Sequence, residues 1–297
     1  MIITNSSDSS QKVPAVNFHL WEPCNMRCKF CFATFQDVKR DMDLPKGHLP
    51  EKDCILVIDR LAETGFEKIN FAGGEPILCP WLPNLIKRAK EHKMVTSIVT
   101  NGSRITDQWL DDLNGSLDWI ALSIDTVDPE KLKRLRRAIG GNNPIIEEEY
   151  LRIISDIKRP GIRLKINTVV TSETWQDDFT RFISLAKPER WKILQVLPIK
   201  GQNDVHIADF KITTEQFEAY VQRNRIVEGD GIAVIPESNE LMTESYAMID
   251  PAGRFFDNAQ GIYNYSKPIL EIGVKRALKE ISIDSKQFHK RGGRYDW

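Results

Sequence analysis

The chain has 297 residues, 41% of them hydrophobic and 28% charged, with a formal net charge of -1. That composition fits a globular protein of one large α/β domain or two smaller ones. The balanced charge argues against a general nucleic-acid binder, and no apolar run approaches the roughly 18 residues that span a bilayer. Residues 1–12 are polar and serine-rich, carry no signal-peptide core, and are expected to form a disordered tail.

From Val13 onward, strand and helix signals alternate. Val13–Leu20 reads as a strand. Pro50–Glu63 has helical periodicity and stops at Gly65. Lys68–Phe71 is a strand, Pro80–His92 a helix and Met94–Thr100 a strand. Thr106–Leu113 is a capped short helix, Trp119–Ser123 a strand, and Pro129 to Arg137 helical. After a Gly140–Pro144 loop come a helix at Ile145–Ile157, a strand at Arg163–Val170, a helix at Thr174–Leu185 and a strand at Trp191–Val196. Six strand-plus-helix units predict a parallel sheet with crossover helices, an open partial (β/α)6 barrel over 13–200. Residues 201–297 are less regular: a helix near Thr213–Asn224, strands near Ile232–Ile235 and Tyr246–Ile249, and a helix at Ile269–Glu280. They predict a C-terminal α+β extension that closes the active site. Ligands of such folds bind at the carboxyl ends of the strands, where all the motifs are expected.

Three of the five cysteines, Cys24, Cys28 and Cys31, fall in a C-x3-C-x2-C run directly after the first strand. A structural zinc site has four closed ligands, and no paired half-site follows. An odd, crowded set is no disulfide framework. Three thiolates suit a [4Fe–4S] cluster with one iron left open, since such a cluster ordinarily takes four. Clustered thiols without an export signal suit a reducing cytosol. Gly73-Gly74-Glu75-Pro76 closes the second strand, with glycines that allow close backbone approach and a carboxylate that accepts from an ammonium.

These residues resemble the radical S-adenosylmethionine (SAM) superfamily, in which the open iron binds SAM and a 5′-deoxyadenosyl radical is made. The resemblance implies a [4Fe–4S] cluster on Cys24, Cys28 and Cys31, and SAM held by Phe30, Gly73, Gly74, Glu75, Asn101, Ser123 and Arg137, with Arg136 the alternative to Arg137. Asn17–Leu20, Cys28–Phe32, Glu67–Pro76, Leu164–Asn167, Arg190–Lys192, Pro236–Asn239, Ser245–Tyr246 and Lys290–Tyr295, in that order, resemble the viperin family in a prokaryotic form. That narrower resemblance runs from about Val16 to the C-terminus. It implies an antiviral, lyase-type enzyme that takes a nucleoside triphosphate to its 3′-deoxy-3′,4′-didehydro form. Hydrogen is abstracted from C4′ and the 3′-hydroxyl leaves as water. CTP is the favoured substrate, with UTP and GTP as alternatives, and an external one-electron donor such as ferredoxin or flavodoxin is implied.

A triphosphate needs converging cations and main-chain donors. Lys165 and Asn167 share a face of the fifth strand, Arg190 and Lys192 a face of the sixth. Lys267 and the Arg291-Gly292-Gly293-Arg294 loop complete the expected set. Asn17 and His19 point together beside the cluster, toward ribose or base. Tyr246 is the candidate proton donor for loss of the 3′-hydroxyl, because a phenol stays protonated at neutral pH. Animal viperins begin with an amphipathic membrane helix; the polar 1–12 has no apolar face, so a cytoplasmic protein is expected. Asn258–Asn264 departs from the animal pattern, which bears on base choice. The rival readings are a radical SAM peptide or cofactor maturase, which would carry extra C-terminal cysteines, and a non-catalytic cluster sensor, which would need no Gly-Gly-Glu-Pro turn.

Overall fold

Alternation along the strands sets the architecture. In β1 (Ala15–Trp21), Val16, Phe18 and Leu20 are buried in the apolar core, while Ala15, Asn17 and His19 face an internal cavity. The same division runs through β2 (Lys68–Gly73), β3 (Val95–Thr100), β4 (Trp119–Ser123), β5 (Arg163–Val170) and β6 (Arg190–Gln195). Ile69, Phe71, Ile98, Leu122, Ile166 and Ile193 join the core, with Ile58 and Leu61 of the helix Glu51–Thr64 and Leu85 and Ile86 of Leu82–Glu91. A fully buried side chain of this size contributes about 1.5–3 kcal/mol. The computed structural model describes residues 13–297 apart from 45, 159 and 160; the tail expected over 1–12 lies outside the described residues.

The fold is an α/β partial barrel with a C-terminal extension, and that extension prolongs the sheet. β7 (Ala233–Glu237) pairs in parallel with β6, and β8 (Ala247–Ile249) in parallel with β1. Two further strands, β9 (Arg254–Asp257) and β10 (Asn264–Pro268), follow antiparallel, giving the order β10-β9-β8-β1-β2-β3-β4-β5-β6-β7. The six units are therefore flanked by parallel strands from the extension, too short for clear periodicity. The helix expected at Ile269–Glu280 is broken by Gly273, whose φ is 81°, into Ile269–Ile272 and Val274–Ala277. Gln36–Asp41, Asp204–Phe210 and Ser285–Lys290 are short helices that the apolar pattern does not reveal. Among the described residues, no helix is long and apolar enough to cross a membrane.

Candidate active site

The inward faces of the strands enclose a cavity of about 310 Å³. Past the carboxyl ends of β1 to β4 stand the cysteine loop, Gly73–Glu75, Asn101 and Ser123. The cations lie elsewhere, which corrects the expectation that every motif gathers at those ends. Lys68 opens β2 and Arg190 opens β6, and Lys165 is opposite Arg190 in the ladder. Lys68 is five residues, about 16 Å at ~3.3 Å per residue, from Gly73. The chain's end crosses the amino ends of the strands: Arg291, Gly292, Gly293, Tyr295 and Trp297 line the cavity there.

The cysteine loop is held from two sides. The amides of Arg27 and Lys29 donate to the carbonyls of Arg136 (3.3 Å) and Leu135 (3.0 Å), and Gly140 N–H donates to Asn25 O at 2.9 Å. Opposite, Gly74 N–H donates to Trp21 O at 2.5 Å and Glu75 N–H to Pro23 O at 2.9 Å. A Cβ on Gly73 would lie 2.2 Å from Trp21 O, and one on Gly74 2.3 Å from Glu22 O. Only glycine lets this turn lie against the loop. Burial pushes the thiols of Cys24 and Cys31 up to about 11 and about 12, and that of Cys28 up as well. Neighbouring cysteines add to the shift at Cys24 and Cys31. Three crowded thiols of this kind suit a cationic centre that takes them as thiolates. Among the described residues, no group of three or more His, Cys, Asp or Glu side chains is arranged to hold a single metal ion. A three-cysteine ligand set for a [4Fe–4S] cluster fits the loop.

Arg137 Nη1 lies 3.4 Å from Cys28 Sγ, its Nη2 donates to Ser123 O at 2.6 Å, and its Nε pairs with Asp125 at 2.7 Å. Of the two arginines left open by the sequence, Arg137 lines the cavity and Arg136 is exposed. The Glu75 carboxylate is engaged within the protein: it accepts from Thr100 Oγ1 (2.6 Å), Asn101 N–H (2.8 Å) and Ile77 N–H (3.1 Å). It ties the Gly-Gly-Glu-Pro turn to the end of β3 and keeps little acceptor capacity for an ammonium. Asn101 in turn donates to Asn25 Oδ1 at 2.9 Å, and Phe30 lines the cavity beside the loop.

Deeper in, cations crowd. Lys68 and Lys165 donate to the Tyr295 hydroxyl at 2.5 and 2.7 Å, and the Arg190 guanidinium stacks 3.8 Å from the Tyr295 ring centre. Burial, then the neighbouring cations, lowers Lys68 to about 7 and Lys165 well below its ordinary value. Lys192 is lowered by burial to about 8. It donates to the Tyr246 hydroxyl at 2.6 Å and pairs with Glu237 at 2.6 Å. Tyr246 donates to Glu237, and Arg291 stacks 3.5 Å from the Tyr246 ring centre. Burial holds the Tyr246 phenol well above its usual value, so it keeps its proton. Glu237 is kept below the usual carboxylate range: burial opposes this, and Lys192 and Arg291 outweigh it.

Apart from the Arg137–Asp125 ion pair, five buried polar atoms of described cavity residues have no hydrogen-bond partner: His19 Nδ1, Asn70 Oδ1, Asn167 Oδ1, Arg190 Nε and Trp297 Nε1. Burial lowers His19 to about 4, so its ring is neutral among Phe35, Phe256 and Phe32. Asn17 accepts from Asn70 at 3.0 Å. Two expected residues stand apart. Lys267 is exposed on β10 and outside the cavity lining, because that strand is the far edge of the sheet. Arg294 is exposed, pairs with Glu67 at 2.8 Å and stacks on Trp297. Lys68, Glu237 and Tyr295 sit inside recognised motifs but are not singled out by the sequence; polar Lys68 and Asn70, two apart and alternating with Ile69 and Phe71 in β2, are the signal that marks Lys68.

The chain matches the profile described as the Radical SAM superfamily over residues 21–185. It is 54% identical over 291 residues to the S-adenosylmethionine-dependent nucleotide dehydratase of Lacinutrix mariniflava, spanning 98% of this chain and 60% of that longer one. It is 48% identical over 285 residues to the protein of the same name from Flammeovirga pacifica, covering 96% of both. The fold is that of anSMEcpe, solved with bound AdoMet and a peptide, at a TM-score of 0.67 and 14% identity over 93% of this chain and 82% of that one.

Proposed function

This chain belongs to the radical SAM superfamily and, within it, to the S-adenosylmethionine-dependent nucleotide dehydratases of the viperin family, and we propose that it converts a nucleoside triphosphate, CTP foremost, to its 3′-deoxy-3′,4′-didehydro form. The family works with a [4Fe–4S] cluster and SAM, which together supply a 5′-deoxyadenosyl radical. Cys24, Cys28 and Cys31 hold the cluster, with Gly73, Gly74, Asn101, Ser123 and Arg137 around the SAM. The observation that carries the substrate is the convergence of five basic side chains on the same cavity as the cysteine loop: Lys68, Lys165 and Arg291 buried, with Arg190 and Lys192 half-buried beside them. Buried charge of one sign is costly unless an anion meets it. Cations at the amino ends and thiols at the carboxyl ends suit a nucleotide lying along the barrel, its phosphates deep and its ribose toward the cysteine loop.

When bound, SAM and the cluster would supply the radical that takes the C4′ hydrogen; Tyr246 is placed to give its proton to the departing 3′-hydroxyl, so that it leaves as water, and one electron from an external donor would complete the C3′=C4′ double bond. Lys192, in contact with Tyr246, returns the proton. Asn17, His19 and Asn167 orient ribose and base through their inward polar atoms. A cytosolic setting suits thiols that must stay reduced. The test is anaerobic incubation of reconstituted protein with SAM, dithionite and CTP, UTP or GTP in turn. 5′-Deoxyadenosine is expected to form with a nucleotide and to fall to background without one; formation independent of nucleotide removes the substrate assignment.

A further inference from the structure

Asp125 takes no part in the chemistry of the substrate, yet it is 2% exposed and lines the cavity beside the cysteine loop. Its Oδ2 lies 2.7 Å from Arg137 Nε, and Arg137 Nη1 reaches on to Cys28 Sγ at 3.4 Å. We propose that Asp125 and Arg137 form a charge-compensated pair that sets the reduction potential of the cluster: Arg137 donates to the Cys28 sulfur, and Asp125 aims the guanidinium and offsets its charge. The inference rests on reading Cys24, Cys28 and Cys31 as cluster ligands.

Both side chains are fixed by backbone contacts. Asp125 stands just past β4, where the chain stays joined to β5: Ile124 N–H donates to Asn167 O at 2.9 Å, and Thr168 Oγ1 donates to Ile124 O at 2.7 Å. Asp125 Oδ1 accepts from Val169 N–H at 2.8 Å, which holds the carboxylate in place. The Arg137 amide donates to Leu132 O at 2.8 Å at the end of the helix Pro129–Arg134, and the carbonyls of Leu135 and Arg136 accept from the cysteine loop. A guanidinium is a rigid planar fork. With Asp125 at Nε and Ser123 O at Nη2, its remaining corner faces Cys28.

The charges oppose one another at the thiols. Arg137 favours the thiolate at all three cysteines, whereas Asp125 works against it at Cys28 and Glu75 at Cys24. The potential of an iron–sulfur cluster follows the local net charge and the hydrogen bonds to its sulfurs. A buried guanidinium alone would stabilise the reduced cluster and weaken it as a reductant. Splitting the sulfonium bond of SAM needs a strongly reducing electron. Asp125 lets the protein keep the ordering bond to Cys28 without that loss. A pair that only satisfied buried charge would leave the potential where it is.

The test uses Asp125→Asn, which keeps the shape and removes the charge, and Arg137→Gln, which removes the cation. Each is reconstituted with iron and sulfide, without SAM or nucleotide, and its cluster content is measured as iron and sulfide per chain. The midpoint potential is then read by electron paramagnetic resonance in a dithionite titration with redox mediators. One electron passes from dithionite to the oxidised cluster, and no bond in the protein is made or broken. Asp125→Asn is expected to shift the reduction equilibrium at least about tenfold toward the reduced cluster, about 59 mV upward for one electron. Arg137→Gln is expected to shift it by as much in the opposite direction.

Unchanged potentials overturn the inference. Shifts of the same sign overturn it too, because they report a distorted loop and not charge. If Asp125→Asn takes up no cluster, Arg137→Gln decides: a downward shift supports the pair and an unchanged potential overturns it. Loss of the cluster from both variants overturns it, since the pair then holds the loop and not the potential. A wild type without iron–sulfur absorbance removes the cluster reading and this inference with it. No nucleotide enters the titration, so failure of the proposed substrate leaves its outcome unaffected.

Discussion

The Lys192 ammonium donates to the Tyr246 hydroxyl at 2.6 Å, and Tyr246 donates onward to Glu237. A phenol held in this way has a fixed direction, a proton it does not lose and a second donor behind it. Tyr246→Phe removes the proton and keeps the ring beneath Arg291. General acid catalysis is worth about 10²–10⁴ in rate. Tyr246→Phe is therefore expected to form 5′-deoxyadenosine at near wild-type rate while the dehydrated nucleotide falls about 100-fold or more. Mass spectrometry of both products gives the ratio, and an unchanged ratio removes Tyr246 from the proton transfer.

Nucleotide binding should take up protons. Burial, with nearby cations, lowers Lys68 to about 7 and Lys192 to about 8 in the free protein. A bound triphosphate favours their charged forms and raises both, so affinity weakens as pH climbs from 7 to 9. The sign for stability is opposite. Between about 7 and 10.5 the unfolded chain binds more protons than the folded one, so stability of the free protein rises with pH across that window. Nucleotide should flatten that rise. Calorimetry at pH 8 in buffers of different ionisation enthalpy counts the protons; a count of zero ends this account of the cations.

The cysteine loop, the glycine turn and the inward polar residues of β5 and β6 were all legible in the sequence. Each depends on a short spacing, or on period-two alternation, that local sequence carries. What escaped depends on long reach. Lys68 acquires its meaning from Tyr295, 227 positions away. Glu237 acquires its own only when β7 brings it to Lys192 on β6 and Tyr246 ahead of β8. Lys267 and Arg294 erred the other way: their motif position suggested phosphate contacts, but an edge strand and the Glu67 pairing turn them outward. The parallel pairing of β7 and β8 was hidden because three- to five-residue strands carry almost no pattern.

Tyr295→Phe tests the closure at the amino ends of the strands. It keeps the ring between Arg190 and Trp119 and removes the oxygen that accepts from Lys68 and Lys165. Leaving buried donors unsatisfied costs about 1–3 kcal/mol. The free protein should lose about that much stability in urea melts, and CTP should restore a larger share than in the wild type, its phosphates taking up the stranded donors. Equal stability with and without the hydroxyl would show that the lysines are solvated there.

Gly74→Ala tests the contact between the glycine turn and the cysteine loop. The added Cβ would lie 2.3 Å from Glu22 O and 2.4 Å from Pro23 O, both main-chain atoms just before Cys24. Backbone cannot step aside as a flexible side chain does, so the loop itself must shift. The sheet and core lie elsewhere and should survive. Gly74→Ala is thus expected to fold, with near wild-type circular dichroism, and to retain less than about a tenth of the cluster absorbance after reconstitution, because a misplacement of about 1 Å is enough to disable a site built on fixed geometry. Cys28→Ala serves as the reference for complete loss. Full cluster occupancy in Gly74→Ala would mean that the loop relaxes freely, and that the glycine pair does not set the cysteine geometry.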